Sequence, residues 1–211
     1  MDFSEHTGPV ELPATRIIET ADVSENTQIG HGSVIWHLAQ VREGAIIGER
    51  CSLGRGAYIG PGVRMGDRCR IQNYALVYEP AVLGNGVFIG PRAVLTNDKY
   101  PRAINPDGSP KSAQDWQAVG VKIDYGASIG AGAVCVAPVH VGAWSTVAAG
   151  AVVTRDVPAH GLVAGVPARQ IGWVGHSGVP LVAENGRWRC PATGRIYEEN
   201  EGRIKEAKMG D

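Results

Sequence analysis

Large aliphatic residues recur at every sixth position over most of the chain, and a small or β-branched residue usually follows each of them four places later. The series is unbroken from Ile17 to Leu95 and returns from Ile123 to Val153. A period of six fits neither the 3.6-residue period of a helix nor the two-residue period of a simple strand. It predicts short strands joined by turns, in which the first and fifth residues of each hexad point inward.

Three such hexads make one triangular coil of 18 residues, and successive coils are expected to stack about 4.8 Å apart. The pattern therefore predicts an all-β fold, a parallel β-helix of the hexapeptide type with six to seven coils over residues 17–160. Residues 1–16 form a segment before it and residues 161–211 an extension after it. The general rule for crossovers favours a right-handed turn, so it does not by itself give the sense of winding.

The repeat is interrupted by residues 97–122, which contain Pro, Asp and Ser and lack the six-residue pattern. A loop of this length on a regular scaffold is typical of a functional segment. Residues 175–211 are polar, and we expect a hairpin and a charged tail there.

Composition and charge narrow the class of protein. The formal net charge is −1, which predicts neither a nucleic-acid nor a membrane-surface partner. No apolar run of membrane-spanning length and no signal peptide is recognised, so the expected location is the cytoplasm. Three cysteines, Cys51, Cys69 and Cys135, occupy inward positions and are interpreted as core thiols. Cys190 lies alone in the tail, where a zinc ribbon would need several paired cysteines.

Residues 18 apart are expected on the same side of adjacent coils. Asn73 should therefore lie above Arg55 and two coils, or about 10 Å, above His37. Glu79 should lie directly below Asn97, where the loop departs. We interpret Asn73, Glu79 and Asn97 as a polar corner at the base of the loop, because Gly or Pro serves at such turns elsewhere.

Several segments resemble one branch of the hexapeptide-repeat acyltransferases: "GSVIWHLAQV", "GDRCRIQNYALVY", "GVFIGPRAVLTN", "YPRA" and "GVPARQIGW". The branch comprises bacterial N-acetyltransferases of UDP-linked 3-amino-3-deoxy sugars, with the closest match to those acting on UDP-2-acetamido-3-amino-2,3-dideoxyglucuronate. The resemblance covers roughly residues 15–174. It implies a left-handed β-helix, a homotrimer with sites between subunits, acetyl-CoA as co-substrate without a metal, and a role in surface polysaccharide biosynthesis.

The resemblance also implies roles for individual residues. Asn73 matches the Asn at the amino-sugar end of the family's cleft. "GVPAR", Gly165 to Arg169, matches a segment beside coenzyme A, so Pro167 is expected at the cofactor and Arg169 is expected to pair with a phosphate. Backbone at Ala149 and Gly150 is expected to accept the pantetheine arm.

The substrate side differs from the family pattern at several positions. Gln40, Tyr74 and Glu79 replace the family's His, Asn and Asp, and Arg70 replaces a Lys. We expect Asn73 and Glu79 to orient the 3-amino group, and Arg70 to assist a sugar carboxylate. His37 is the candidate auxiliary base, supplied by a neighbouring subunit. Tyr78 and Asn97 complete the predicted substrate set.

Three other functions remain open at this stage, since a fold alone does not give function. An O-acetyltransferase would need a true base for a hydroxyl, and the coils after the loop offer only His140. A metal hydratase of the carbonic anhydrase type would need about three clustered His, whereas His31 and His37 lie one hexad apart. A non-catalytic scaffold would leave "GVPARQIGW" and the polar corner unexplained.

Overall fold

The computed structural model describes residues 14–207 and has the predicted architecture, a parallel β-helix with three flat faces. Residues 1–13 of the expected N-terminal segment lie outside this range. The strands of the first face are β1 (Arg16–Ile17), β4 (Val34–Ile35), β7 (Ser52–Leu53), β10 (Arg70–Ile71), β13 (Phe88–Ile89), β16 (Ser128–Ile129), β19 (Thr146–Val147) and β21 (Gly161–Ala164).

Two further sheets complete the triangle. The second face contains β2 (Asp22–Val23), β5 (Gln40–Val41), β8 (Tyr58–Ile59), β11 (Leu76–Val77), β14 (Val94–Leu95), β17 (Val134–Cys135) and β20 (Val152–Val153). The third contains β3 (Gln28–Ile29), β6 (Ile46–Ile47), β9 (Arg64–Met65), β12 (Val82–Leu83), β15 (Val121–Ile123) and β18 (Val139–Val141). We call the edge between the first and second faces the first edge, that between the second and third the second edge, and that between the third and first the third edge.

The register confirms the 18-residue coil. Arg70 pairs with Ser52 below it, and Leu76 pairs with Tyr58, each 18 residues earlier. The last parallel ladder reaches β21, where Leu162 pairs with Thr146, so the β-helix continues four residues past the predicted end at residue 160.

The core is built from the two inward positions of each hexad, as predicted. From Ile35 onward, the aliphatic and small inward residues are almost fully buried. Ser33 is an inward polar exception, and it is satisfied because its hydroxyl donates to the Gly48 carbonyl and accepts from the Cys51 amide. The first coil is less covered, and Ile17 is 47% exposed.

The inward cysteines are core residues, as predicted. Cys51, Cys69 and Cys135 are at most 1% exposed. Burial raises the pKa of the Cys135 thiol to about 12, so this sulfur remains protonated at neutral pH.

The loop predicted over residues 97–122 departs at the second edge, after β14, and it ends two residues earlier than predicted because β15 begins at Val121. Its base is closed by the amide of Val119, which donates to the carbonyl of Asn97 at 2.9 Å. Tyr100 and Ile104 in the loop are 73% and 54% exposed. The loop therefore presents apolar side chains away from its own coil.

The C-terminal extension differs from the predicted hairpin and tail. β22 (Arg169–Trp173) turns back antiparallel on β21, and a separate four-stranded antiparallel sheet follows. Its strands are β23 (Val182–Glu184), β24 (Arg187–Arg189), β25 (Ile196–Asn200) and β26 (Arg203–Glu206). The prediction of a hairpin was wrong because a small second core forms from side chains that lie within 32 residues of sequence and have no simple period: Trp173, Leu181, Cys190, Tyr197 and Ile204.

A row of aromatic rings joins this sheet to the β-helix along the third edge. The ring of His176 lies 4.7 Å from that of Trp144 and 4.9 Å from that of His160. The Nδ1 of His160 lies 2.9 Å from the Val174 carbonyl, which can only accept, so Nδ1 carries a proton. Burial lowers the pKa of His160, so its neutral form is favoured at this junction.

No helix among residues 14–207 is long and apolar enough to span a membrane.

Candidate functional site

Asn73 lies on the first edge, at the turn between β10 and β11. Its Oδ1 accepts a hydrogen bond of 2.9 Å from the backbone amide of Arg55, one coil below. Since Oδ1 must face this N–H, the two N–H bonds of Nδ2 are turned away from the backbone. The side chain is thus fixed, and Nδ2 makes no hydrogen bond to any of residues 14–207.

The same capping bond recurs at the third edge. Asp67 Oδ1 accepts from the amide of Glu49, and Asn85 Oδ1 accepts from the amide of Asp67, both at 2.9 Å. This capping role of Asn73 was not predicted from the sequence, which indicated only a polar corner for binding. The side-chain carbonyl oxygen of Asn73 stabilises the coil below, and only its amide nitrogen is left for a ligand.

Asn73, Arg55 and His37 line one cavity of about 260 Å³, together with Trp36 and Gln72. The stacking predicted from the 18-residue spacing is confirmed here, because the Tyr74 amide bonds to the Arg55 carbonyl and the Gly56 amide to the His37 carbonyl.

The imidazole of His37 and the guanidinium of Arg55 are each oriented by a hydroxyl group. Nδ1 of His37 lies 2.9 Å from the hydroxyl of Thr20. Nε of Arg55 donates to the hydroxyl of Tyr74 at 3.0 Å. Sequence reasoning placed Arg55 between His37 and Asn73 but missed it as a cation of the cavity.

Glu79 and Asn97 meet at the second edge, as predicted from their spacing. Asn97 Nδ2 donates to Glu79 Oε1 at 3.2 Å. The other carboxylate oxygen, Oε2, is buried and has no hydrogen-bond partner in the described part of the chain. Asn73, Asp67 and Asn85 each accept a hydrogen bond from the backbone amide of the residue 18 places earlier, one coil below. For Glu79 the residue 18 places earlier is Pro61, which has no N–H to donate. The missing bond leaves a buried acceptor oxygen at the base of the loop.

The position of this carboxylate depends on Gly60. A Cβ at residue 60 would lie 2.4 Å from Glu79 Oε2 and 2.9 Å from the Glu79 amide nitrogen. Tyr78 lies beside it, with its ring 5.1 Å from that of Tyr58. Burial, followed by the charge of Glu79, raises the pKa of Tyr58, which keeps this phenol neutral next to the carboxylate.

The predicted polar corner is therefore divided between two edges. Asn73 lies on the first edge, whereas Glu79 and Asn97 lie on the second, with the second face between them. The expectation of one corner was wrong because a shift of one hexad moves a residue to the next edge of the triangle. Arg70 is also separated, since it lies on the first face and its Nη1 donates to the Arg50 carbonyl at the third edge.

The predicted cofactor residues lie higher on the same edge as Asn73. Backbone hydrogen bonds connect the successive coils along this edge. The amides of Arg92, Gly132 and Gly150 donate to the carbonyls of Asn73, Pro91 and Ala131, respectively. Ala149 and Gly150 are exposed there, about 14 Å above Asn73 at the coil spacing. Gly165 follows one coil higher, because its carbonyl accepts from the amide of Val152. The upper part of this edge is lined by small residues.

Arg169 lies at the C-terminal end of the β-helix. Together with Arg155, it lines a cavity of about 130 Å³. Pro167, in the turn before it, is exposed. Arg155 was not predicted from the sequence, since nothing in the hexad pattern distinguishes an arginine that lines a cavity from one on an open edge.

His140, the base considered for an O-acetyltransferase, lies on the third face. Its Nε2 is 2.6 Å from Asp124 Oδ2, and its backbone amide donates to Asp156. It is therefore oriented by a carboxylate but lies on neither edge of the second face. Within residues 14–207, no three His, Cys, Asp or Glu side chains are grouped in a way that would hold a metal ion.

Comparisons with known proteins match the repeat region. The model described as "Bacterial transferase hexapeptide (six repeats)" matches residues 26–61 and 62–97, and "Hexapeptide repeat of succinyl-transferase" matches residues 120–155. Together these matches span just over half of the chain.

Similar whole proteins include the bifunctional protein GlmU of Alkalilimnicola ehrlichii, at 31% identity over 72% of this chain and 33% of GlmU. A 2,3,4,5-tetrahydropyridine-2,6-dicarboxylate N-acetyltransferase of Enterococcus faecalis is 54% identical over 26% of this chain and 23% of its own length. The chain spans about a third or less of the curated relatives that it matches.

A hexapeptide-repeat acetyltransferase of Vibrio cholerae, solved with acetyl coenzyme A, aligns with a TM-score of 0.52 and 26% identity over 63% of this chain and 72% of its own. The repeat, its register and these matches agree with one another, and hexapeptide repeats of this type indicate the left-handed form of the β-helix. The chain belongs to the hexapeptide-repeat family of bacterial transferases.

Proposed function

We propose that this protein is an acetyl-CoA-dependent N-acetyltransferase acting on the amino group of a nucleotide-linked sugar. The acceptor we propose is a UDP-linked 3-amino-3-deoxy sugar, and a uronate is the first member of the substrate panel. Support comes from the motifs around Asn73 and Gly165–Arg169 and from two relatives. One of these was solved with acetyl coenzyme A, and the other is named as an N-acetyltransferase.

The observation that carries the proposal is the order of groups along the first edge. A polar cavity with a fixed amide donor, Asn73, lies below a run of small exposed residues that includes Ala149 and Gly150. An extended thioester arm needs a narrow, unobstructed groove, and its acceptor needs polar groups at the reacting end. Both lie on one straight edge of the scaffold.

The division of the predicted site between two edges supports an assembly with shared sites. The second face is the most apolar, because successive coils place Tyr58, Leu76, Val94, Val134 and Val152 outward on it. If three copies turn this face towards a threefold axis, the first edge of each copy meets the second edge of the next. Asn73 of one copy then faces Glu79 and Asn97 of its neighbour.

Acetyl transfer then proceeds as follows. The sugar amine attacks the thioester carbon, a C–N bond forms, and the carbonyl oxygen takes the electron pair as an oxyanion. The free N–H of Asn73 is oriented to donate to this oxygen. The C–S bond breaks as the carbonyl re-forms, and the departing thiolate takes the proton from nitrogen.

Other residues have supporting roles. The carboxylate of Glu79, which Asn97 holds, is suited to orient the attacking amine through Oε1, since Oε2 is buried. His37 lies on the first edge about two coils below Asn73, so in this assembly the neighbouring copy does not supply it as expected, and it is auxiliary to the cavity of its own chain. Arg155 and Arg169 are suited to a phosphate of the cofactor. Arg70 is not assigned to the substrate site, because its guanidinium donates to the Arg50 carbonyl at the third edge.

The proposal is tested by measuring CoA release from acetyl-CoA with a panel of UDP- and dTDP-linked amino sugars, each paired with its hydroxyl counterpart. We expect release with a 3-amino sugar and none with the corresponding hydroxyl sugar. Release with the hydroxyl sugar alone would overturn N-acetylation in favour of the O-acetyltransferase.

Shared sites are tested by mixing two inactive variants, Asn73→Ala and Glu79→Gln, after reversible dissociation. Random reassortment would regenerate about a quarter of the sites with both residues intact. Recovery of about that share of wild-type turnover supports a site between copies. No recovery in reassorted mixtures would contradict it.

A further inference from the structure

Arg55 is the one permanently charged side chain that the described part of the chain contributes to the cavity of Asn73. The four turns of the first edge around it, residues 36–39, 54–57, 72–75 and 90–93, contain no Asp or Glu. Within residues 14–207, Arg55 makes no ion pair. The positive charge at the acceptor end of this edge is therefore not compensated by any carboxylate of these residues.

A tyrosine fixes the direction of this guanidinium. Nε of Arg55 donates to the hydroxyl of Tyr74 at 3.0 Å. The Tyr74 ring reaches down from its own coil and lies over Gly56, where a Cβ would be 2.5 and 2.6 Å from two of the ring carbons. The hydroxyl thus keeps the guanidinium on the first edge, between His37 and Asn73, which line the cavity with it.

The rest of the guanidinium is available to a ligand. Nη1 and Nη2 of Arg55 make no hydrogen bond to any of residues 14–207. Because Nε is already bound to Tyr74, the planar group is held through one nitrogen and offers the edge formed by the other two. Two parallel N–H donors match the two oxygens of a carboxylate.

This arrangement differs from the expected one at two residues. Arg70 was expected to assist a sugar carboxylate, but its guanidinium donates to the Arg50 carbonyl at the third edge. Tyr74 stands where the family branch described above has an Asn, and its phenol supplies the hydroxyl that holds Arg55. The cation for an acidic acceptor is therefore available from Arg55 and not from Arg70.

Resting on the function proposed above, we propose that Arg55 determines acceptor specificity by binding the carboxylate of a uronate, and that Tyr74 positions it. The cavity of about 260 Å³ lies just below the usual range of ligand pockets, about 300–1,000 Å³, so it suits one sugar ring and not a whole sugar nucleotide. Asn73, at the reacting end, lines the same cavity. Arg55 is thus placed to contact the sugar itself, while the diphosphate extends beyond the cavity.

The proposed assembly leaves Arg55 without a competing carboxylate. Three copies around an axis parallel to the coils lie level with one another, so the next copy meets Arg55 with the turn of the same coil, residues 60–62. This turn reads Gly-Pro-Gly and carries no charge. Glu79 lies one coil higher and is held by Asn97. An acidic group brought by the acceptor is the partner that this guanidinium lacks.

The test is calorimetric titration of the full chain with UDP-glucuronate and with UDP-glucose, which differ only in whether C6 is a carboxylate. We compare the wild type with R55Q, R55K, Y74F and the double variant R55Q/Y74F. The matched control is R68Q, which removes the same charge from an exposed arginine of the third edge, outside the cavity.

We expect R55Q to bind UDP-glucuronate at least about tenfold more weakly and to bind UDP-glucose within about twofold of the wild type, because only the uronate loses a charge-assisted bidentate contact. R55K should lose less than R55Q, since it keeps the charge without the planar fork. R68Q should bind both ligands within about twofold of the wild type.

Tyr74 has its own readout. Y74F should weaken UDP-glucuronate binding by about three- to tenfold, because the hydrogen bond that orients Arg55 is lost. In the R55Q background the same change should have no further effect, a coupling that a merely structural role of Tyr74 would not give.

An equal loss for both ligands in R55Q would overturn the proposal in favour of a phosphate contact, and an equal loss in R68Q would reduce it to an effect of net charge. Unchanged UDP-glucuronate affinity in R55Q would also overturn it. These titrations need no acetyl transfer, so each of those results leaves the proposed reaction standing. A wild type that binds neither sugar nucleotide would contradict both proposals.

Discussion

Asn73 has two roles on one side chain, and substitutions separate them. Asn73→Ala removes the acceptor for the Arg55 amide and the free N–H donor together. Asn73→Asp keeps an acceptor oxygen at the same place and removes only the donor. The two variants should therefore differ in stability but not in the direction of their effect on catalysis.

The magnitudes follow from the geometry. The capping bond is 2.9 Å long, and Asn73 is exposed, so water replaces part of it after truncation. The expected loss for Asn73→Ala is about 1 kcal/mol, or roughly 2–4 °C in Tm for a chain of this size. Loss of an oxyanion donor typically lowers kcat about 10²- to 10³-fold, and we expect this for both variants. Asn73→Asp should stay within about 1 °C of the wild-type Tm.

The matched control is Asn85→Ala. Asn85 caps the Asp67 amide with a bond of the same length, but it does so on the third edge. We expect a similar fall in Tm and a kcat/KM within about twofold of the wild type, since no proposed site residue is touched. The assay is CoA release with the best amino-sugar acceptor, alongside thermal unfolding. Near-normal turnover in Asn73→Asp, or an equal loss of turnover in Asn85→Ala, would refute the reasoning.

Three further predictions concern the second edge and the C-terminal junction. Glu79→Gln removes the charge from a buried oxygen without a partner, so thermal unfolding should show an unchanged or raised Tm while kcat/KM falls; a lower Tm would contradict this. Gly60→Ala, whose Cβ would meet Glu79 Oε2 at 2.4 Å, should lower Tm by several degrees, whereas the control Gly172→Ala meets no atom within 4 Å and should change it little. Because burial lowers the pKa of His160 in the folded state, its contribution to stability is present above the ordinary value of about 6.5 and is lost as the pH falls towards the folded value. Denaturant unfolding between pH 8 and pH 5 should therefore show a smaller acid loss in His160→Asn, and an unchanged slope would contradict this role.

The hexad pattern predicts the β-helix well because each inward position repeats the same demand for a buried apolar side chain. The 18-residue coil also predicts vertical neighbours, such as Arg55 below Asn73 and Glu79 below Asn97. It gives no signal for the C-terminal sheet, whose core is assembled from Trp173, Tyr197 and residues between them without a fixed spacing.

The site could be predicted only in part. The motifs located Asn73, but the joint corner with Glu79 failed because the hexads of the two residues lie on successive faces. The capping role of Asn73 was missed, since a hydrogen bond to a backbone amide one coil away depends on the rise between coils and not on residue type. Arg155 and Arg169 line one cavity because the chain reverses after β21, and no repeat encodes that reversal.

The absence of an N–H at Pro61 has a consequence for how this protein tolerates change. The hydrogen bonding of Glu79 Oε2 depends on a residue 18 places earlier, so substitutions at the two positions should not be additive. A double-mutant cycle of Pro61→Ala and Glu79→Gln would measure that coupling. In a coiled scaffold of this kind, epistasis is expected at a fixed spacing along the chain, and an insertion that changes the length of one coil would break every such pair it crosses.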